Sequence, residues 1–369
     1  MKTKKLKVLS VVGTRPEIIR LSRVLAILEK SEAIEHVLVH TGQNYDYELN
    51  EIFFQDLDVK KPDHFLNAAG ETAINTIGNI ISAIEPVLNK DKPDAFLVLG
   101  DTNSCLCAIP AKRLKIPIFH MEAGNRCFDL RVPEEINRRI VDHVSDINLT
   151  YSSIAREYLL REGLSPERVI KTGSPMFEVL NFYKKQIDSS DVCKKLNLEK
   201  GNYFVVSSHR AENVDTDEQF LKIVDIINTI SEQHNLPVII STHPRTRNRP
   251  RTKKMYDQLG MDFENLLITG PMSYLEFIYL IKNAMGVITD SGGITEETTV
   301  LGIPCMTLRN STERPETVTL GTNEIVGTNP DNILPFLEKL LSGQWKKGSI
   351  PDLWDGKTAN RIVKLIAQL

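Results

Sequence analysis

The chain has 369 residues, 41% of them hydrophobic, and a net charge of -3. That length exceeds one ordinary domain, so two are expected, each large enough to bury its own core. The near-neutral balance excludes whole-surface attraction to nucleic acid or an acidic membrane, so an anionic ligand must be held by local arginines and backbone dipoles. Cys105, Cys107, Cys127, Cys193 and Cys305 are scattered and odd in number, which offers neither a disulfide framework nor a CxxC zinc site. The start runs directly into a strand pattern and no apolar run nears the ~20 residues of a membrane span. The cytoplasm is the expected compartment.

Aliphatic runs alternate with amphipathic stretches throughout, the pattern of an α/β protein. Residues 7–13 read as a first strand, and Gly13-Thr14-Arg15-Pro16-Glu17 joins it to a helix running to about residue 30. A strand, a glycine turn and an arginine at a helix start make a phosphate site; a turn with a solvated Arg15 is the plain alternative. Residues 36–42 form a second strand and 71–89 a helix. A strongly apolar strand at 95–100 ends on Asp101, and another at 117–120 is followed by Glu122. Both acids therefore lie just past the carboxyl ends of strands, the ligand edge of an open parallel sheet.

Pro133-Glu134-Glu135 opens a helix, where acids in the first turn also suit the helix dipole. Strands at 146–150 and 169–173 with a helix at 152–162 complete roughly six strands of a doubly wound domain. The turn residues Thr172-Gly173-Ser174-Pro175 mark the boundary, giving an N-terminal domain over 1–173 and a second over 174–356. Further strands are expected at 203–207, 237–241, 266–269, 286–289 and 305–308, with helices that include 217–234 and 273–282. Both halves share one layout, which suggests two similar sandwiches facing across a cleft. The six basic residues within 245–254 lack the interleaved aromatics of a nucleic-acid patch and read as a solvated loop.

The most informative stretch is Thr289-Asp290-Ser291-Gly292-Gly293-Ile294-Thr295-Glu296-Glu297. It follows the apolar 286–288 and precedes a short helix at 298–301. Adjacent glycines let a backbone approach a ligand closely, and a new helix offers unpaired N–H groups to a phosphate. Glu297 is suited to accept from ribose hydroxyls. His209, at the end of strand 203–207, is placed to give a hydrogen bond or proton to a leaving oxygen. Arg314, in Thr312-Glu313-Arg314-Pro315-Glu316, would add to the cradle made by Arg15, His209 and the glycine turn. A glycine-rich turn of any α/β protein remains the alternative for the whole stretch.

Absences narrow the chemistry. No GxGxxG follows the first strand, no Tyr is followed four residues later by Lys, and no Walker A sequence is present, so neither a nicotinamide-dependent sugar epimerase nor an ATPase is indicated. Asp101, His120 and Glu122 lack a spacing that identifies a metal.

Taken together, Gly13-Thr14-Arg15-Pro16-Glu17, Gly100-Asp101-Thr102, His120-Met121-Glu122-Ala123-Gly124, Pro133-Glu134-Glu135-Ile136-Asn137-Arg138, Asp290-Ser291-Gly292-Gly293, Glu296-Glu297 and Thr312-Glu313-Arg314-Pro315-Glu316 resemble the UDP-N-acetylglucosamine 2-epimerase family over nearly the whole chain. The resemblance implies a GT-B-like fold of two Rossmann-like doubly wound domains, with a last helix at about 357–369 packing back on the first. It implies a homodimer that needs no cofactor and no metal, and takes a UDP-N-acetylhexosamine. By motif position, Met272 and Phe277 would lie near uracil, Glu297 near ribose, and Arg15, His209, Ser291, Gly292, Gly293 and Arg314 near diphosphate. Asp101, Glu122 and Glu134 would be the acid/base carboxylates.

The chain departs from the family at Arg20, where relatives of the GTRPEAIK type carry Lys. A guanidinium places its donors differently. The segment 41–46 lacks the Gln-His-Arg that some relatives use to bind an activating substrate molecule. Ala123-Gly124-Asn125-Arg126-Cys127-Phe128-Asp129 replaces the general AGLR(S/T) and, with residues 144–148 and 173–176, resembles the branch that makes UDP-N-acetyl-L-fucosamine from UDP-2-acetamido-2,6-dideoxy-L-talose for surface polysaccharides. The competing expectations are a UDP-GlcNAc/UDP-ManNAc 2-epimerase, hydrolysing or not, a glycosyltransferase, and a non-catalytic UDP-sugar sensor. Retained carboxylates argue against the last.

Overall fold

The computed structural model describes residues 4–43, 57–208, 222, 224–227, 229–241, 265–270 and 272–369. Two compact units emerge, Met1–Asn181 with Asp352–Leu369, and Phe182–Pro351.

The first unit holds a sheet of seven strands among the described residues: β1 (Leu6–Val12), β2 (Ile34–His40), β3 (His64–Phe65), β4 (Ala95–Leu99), β5 (Ile118–Met121), β6 (Ile147–Thr150) and β7 (Val169–Lys171). They run parallel in the order β3-β2-β1-β4-β5-β6-β7. The central strand β4, AFLVL, is buried at all five positions, as a parallel strand covered on both faces must be. Leu9, Val11, Phe96, Val98 and Ile118 pack against Ile80, Ile84 and Leu88 of a helix over Ala73–Asp91. Each such side chain contributes about 1.5–3 kcal/mol of burial. Helix α1 (Arg15–Lys30) starts on Pro16, whose fixed φ suits a first helical turn.

The second unit repeats the scheme with β8 (Phe204–Ser207), β9 (Val238–Ser241), β10 (Leu266–Thr269), β11 (Gly286–Thr289), β12 (Cys305–Thr307) and β13 (Asn323–Ile325), parallel in the order β10-β9-β8-β11-β12-β13. Counted from β8 as the first, this is the 3-2-1-4-5-6 order of a doubly wound dinucleotide-type domain. The first six strands of unit one follow it too. In both units the order reverses next to the first strand, between β1 and β4 and between β8 and β11. Crevices at such switch points, beyond the carboxyl ends of the strands, are where ligands bind in this architecture.

The two short strands β3 and β13 were not expected from the sequence, because two or three residues carry no readable periodicity. The first unit also runs past the Gly173-Ser174-Pro175 turn to Asn181 and takes in residues from Asp352 rather than from about 357. Gly173 explains the docking. Its φ is +82° and a Cβ there would lie 2.1 Å from the Leu353 carbonyl oxygen, so only glycine lets the returning strand of chain sit against it. Trp354, fully buried, donates from Nε1 to the Tyr151 carbonyl at 3.0 Å. Thr358 Oγ1 donates to the Ser174 carbonyl at 3.0 Å, and the helix Thr358–Ile366 packs on α1 with Ile362 and Ile366 inside. Among the described residues no helix is long and apolar enough to cross a membrane.

Candidate active site

In unit one, the turns after β1, β4 and β5 and the start of α2 (Pro133–Val144) carry the residues singled out from the sequence. β4 and β5 are hydrogen-bonded neighbours, so Asp101 and Glu122 emerge side by side. Glu122 is 4% exposed, and a Cβ on Gly100 would lie 3.8 Å from Glu122 Oε1, so that carboxylate leans over the turn that leads into Asp101. Its own backbone sits at φ +64°, the left-handed region that a non-glycine residue enters at a cost of about 1–3 kcal/mol. Arg20 reaches it from α1, Nε to Oε2 3.6 Å.

Asp101 is held from α2. Arg138 Nε donates to Asp101 Oδ2 at 3.0 Å, and Asn137 Nδ2 donates to the Asp101 carbonyl at 2.9 Å. The same helix separates the two acids of its first turn. Glu135 is fully buried and accepts from the Cys127 N–H at 3.0 Å and from Arg138 Nη1 at 2.9 Å, with Arg139 on its other oxygen. Glu134, next to it, is only partly buried. Glu135 therefore answers for the packing.

The β1 turn is tied to the β4 turn by Glu17. This side chain is 1% exposed and accepts from the Gly13 N–H at 3.0 Å, the Thr14 hydroxyl at 2.8 Å and the Thr102 hydroxyl at 3.0 Å. Burial pushes its carboxyl up to about 7 against those hydrogen bonds. Burial likewise pushes the Arg15 guanidinium down to about 10, which leaves it charged at neutral pH.

In unit two, helix α3 (Tyr274–Lys282) is started by a reciprocal pair: Ser273 Oγ accepts from the Glu276 N–H at 3.2 Å, and Glu276 Oε2 accepts from the Ser273 N–H at 3.3 Å. Met272 precedes that start and Phe277 lies within the first turns, both partly buried. Helix α4 spans Gly292–Leu301, so the paired glycines are its first two residues rather than a turn ahead of a helix at 298. Its N-cap Ser291 makes no side-chain cap bond and its first turn has no acid, which leaves N–H groups at the helix start for an anion. Glu297, 8% exposed, accepts from the Tyr274 hydroxyl at 3.0 Å.

Arg314 is beside this turn but not loose: its Nε donates to Glu296 Oε2 at 3.2 Å and its Nη1 to Glu313 Oε1 at 2.8 Å, while Arg309 holds the other Glu313 oxygen at 2.7 Å. A Cβ at Gly292 would lie 2.1 Å from Glu313 Oε1 and 2.5 Å from Arg314 Nη1. The glycine is thus required for the ion pair to tuck beneath the helix start. His209 and the basic loop at 245–254 lie outside the described residues.

A family profile described as UDP-N-acetylglucosamine 2-epimerase matches residues 26–367. The chain belongs to the UDP-N-acetylglucosamine 2-epimerase family. It is an epimerase. A Methanocaldococcus jannaschii relative named UDP-N-acetylglucosamine 2-epimerase is 39% identical, with 98% of this chain and 99% of that one covered. A crystal structure of the M. jannaschii epimerase in complex with UDP-GlcNAc and UDP matches with a TM-score of 0.90 at 38% identity, covering 99% of this chain and 100% of that one. A Pseudomonas aeruginosa relative named UDP-2,3-diacetamido-2,3-dideoxy-D-glucuronate 2-epimerase is 36% identical over 99% of this chain and all of its own length. The two parallel-sheet α/β units are those of the GT-B-like epimerase structures.

The sequence alone assigns no role in this epimerase to Glu17, Thr102, Asn137, Arg138 or Tyr274, although the first four stand inside the family motifs. A signal existed for Arg138, which lies one helical turn beyond Glu134 and so shares its face. None existed for the Tyr274 to Glu297 bond, 23 residues apart.

Proposed function

We propose that this epimerase inverts C2 of a UDP-2-acetamido sugar by eliminating UDP and adding it back, with no cofactor. The hydrogen on C2 has no adjacent carbonyl to acidify it. Breaking the C1–O bond lets UDP leave with the bonding electrons, and the positive charge that develops at C1 makes C2–H acidic. A carboxylate takes that proton, giving a 2-acetamidoglycal. A second carboxyl delivers a proton to the opposite face of C2, and the diphosphate oxygen re-forms the bond to C1.

In this reading unit two holds the UDP: Met272 and Phe277 near uracil, Glu297 on ribose, and Ser291, Gly292, Gly293 and Arg314 about the diphosphate. Arg15, Arg20 and His209 serve the leaving group, and Asp101, Glu122 and Glu134 serve C2. Preorganised donors on a departing diphosphate contribute several kcal/mol. One observation carries the reading: Asp101 and Glu122 emerge from neighbouring strands at the switch-point edge, with Glu122 in a strained backbone. Binding alone does not require two acids there.

For the sugar, the segment 123–129 supports UDP-2-acetamido-2,6-dideoxy-β-L-talose, converted to UDP-N-acetyl-β-L-fucosamine for surface polysaccharide. The relatives' names support the UDP-GlcNAc/UDP-ManNAc pair. A cytoplasmic homodimer belongs to the same proposal, and light scattering tests the dimer. Offering both UDP-sugars in D2O and following the products by NMR decides the rest. Deuterium at C2 of the epimerised product is expected; protium retained there would overturn the mechanism. Release of free sugar and UDP would assign the hydrolysing reaction instead.

A further inference from the structure

His120 interrupts the apolar run of β5 and is completely buried. Its ring lies between two oxygens: Nδ1 is 2.9 Å from Asp142 Oδ1 on α2, and Nε2 is 2.9 Å from the Gly100 carbonyl oxygen. A carbonyl can only accept. Asp142 is itself a carboxylate, because its oxygens also take the Gly124 N–H at 3.2 Å and the Arg126 Nη1–H at 2.7 Å. A neutral imidazole carries one N–H and would set a nitrogen lone pair against an oxygen lone pair at one of these two contacts. We propose that His120 is a fixed imidazolium cation and the positioning residue that holds the acid/base segments of unit one together.

The charges around it agree. Arg126 bridges Asp142 to Glu162 with Nε to Oε1 2.8 Å, and His143 Nε2 is 3.8 Å from that Glu162. The cations His120 and Arg126 are thus matched by the anions Asp142 and Glu162. Burial alone would lower the His120 affinity for its second proton, but the hydrogen bond and charge of Asp142, the Gly100 carbonyl and the charge of Glu122 raise it. Asp142 is held below the usual carboxylate range even though burial opposes this, by His120 and then by Arg126.

The consequence is geometric. Gly100 precedes Asp101, Glu122 follows His120 by two residues, and Asp142 belongs to the helix whose first turn carries Glu134 and whose Arg138 holds Asp101. One charged ring therefore fixes the ends of β4 and β5 against α2. A neutral imidazole can satisfy one neighbour and must leave the other. Both ring nitrogens are also occupied, so His120 is not available as a metal ligand or as the acid that meets substrate.

This rests on the acid/base reading of Asp101 and Glu122, and the test keeps the two apart. Nitrogen-15 NMR of the wild-type enzyme, with the His120 ring signals assigned by through-bond correlation to its own backbone amide, is expected to show both ring nitrogens still protonated at a pH where an ordinary histidine has lost its second proton. One unprotonated nitrogen at that pH would overturn the proposal whatever the enzyme's activity, and it would do so even if His120→Gln failed to fold. Folded His120→Gln is expected to keep its UDP affinity and its KM and to lose kcat about hundredfold, as displaced catalytic groups do. An unchanged kcat, or a loss confined to KM, would overturn the positioning role. Failure of the acid/base reading would appear separately, as Asp101→Asn and Glu122→Gln variants that still exchange C2 hydrogen with solvent.

Discussion

Glu17 is a carboxyl group surrounded by donors and almost no water, and it accepts from Gly13, Thr14 and Thr102. When protonated it can give its own hydrogen to the Thr102 oxygen and still accept from the other two, so the neutral form fits the site. Its folded pKa of about 7 lies above the ordinary value of an unfolded chain. Below about pH 4.5 both states hold the proton. Between about pH 4.5 and 7 the unfolded state ionises while the folded state still holds its proton, so the stabilisation drains away over that window, and above 7 the folded state carries a buried carboxylate. Glu17→Gln, which mimics the neutral form, should therefore gain on wild type by on the order of 1–3 kcal/mol between pH 5 and pH 8. Urea denaturation at the two pH values checks this, and parallel pH curves would refute it.

The neighbouring acids Glu134 and Glu135 divide in a similar way. Removing charge from fully buried Glu135 leaves Arg138 without one of its partners and should cost about 3 kcal/mol of stability. Glu134→Gln should keep its melting temperature and UDP affinity and lose most turnover; near-normal turnover would return Glu134 to a helix-dipole role. From the sequence both acids suit the dipole of the helix start, since adjacent helix positions look alike until the partners on each face are known.

At the scale of elements, the strand and helix order was legible because long apolar runs in parallel strands are hard to mistake, as with AFLVL in β4. The start of α4 was not. Paired glycines are poor helix formers, so propensity alone puts the helix later, at 298. What demands a glycine at its first residue, Gly292, is the Glu313 and Arg314 pair packed close against it, a contact between residues about twenty positions apart that no local pattern reveals. Gly292→Ala improves helix propensity yet should lose stability by about 1–3 kcal/mol, the range for overpacking. In the proposed function it should also weaken UDP binding at least tenfold by isothermal titration. A stabilised variant with intact affinity would show that the ion pair can move aside.

For the whole molecule, two units with separate cores predict two reporters. The chain has only two tryptophans. Trp345 donates to the Thr322 carbonyl in unit two, and Trp354 to the Tyr151 carbonyl in unit one. A chain lacking residues 352–369 keeps Trp345 alone. Its urea transition by fluorescence should still rise by about 2.7 kcal/mol with UDP at a hundred times the dissociation constant. Unit one, followed by circular dichroism, should unfold at lower urea than in the full chain. An unchanged unit-one transition would mean that the returning segment contributes nothing to its stability.

The seat that Gly173 makes for Leu353 also bears on how the protein is born. Unit two is one uninterrupted stretch of chain and can fold once it has left the ribosome, whereas the final turn of unit one's packing waits for residues 352–369 to be translated. At 5–20 residues per second, the roughly 170 residues that intervene keep the surface of α1 open for about ten to thirty seconds in every newborn molecule. During that interval nascent-chain chaperones have a defined apolar face to cover.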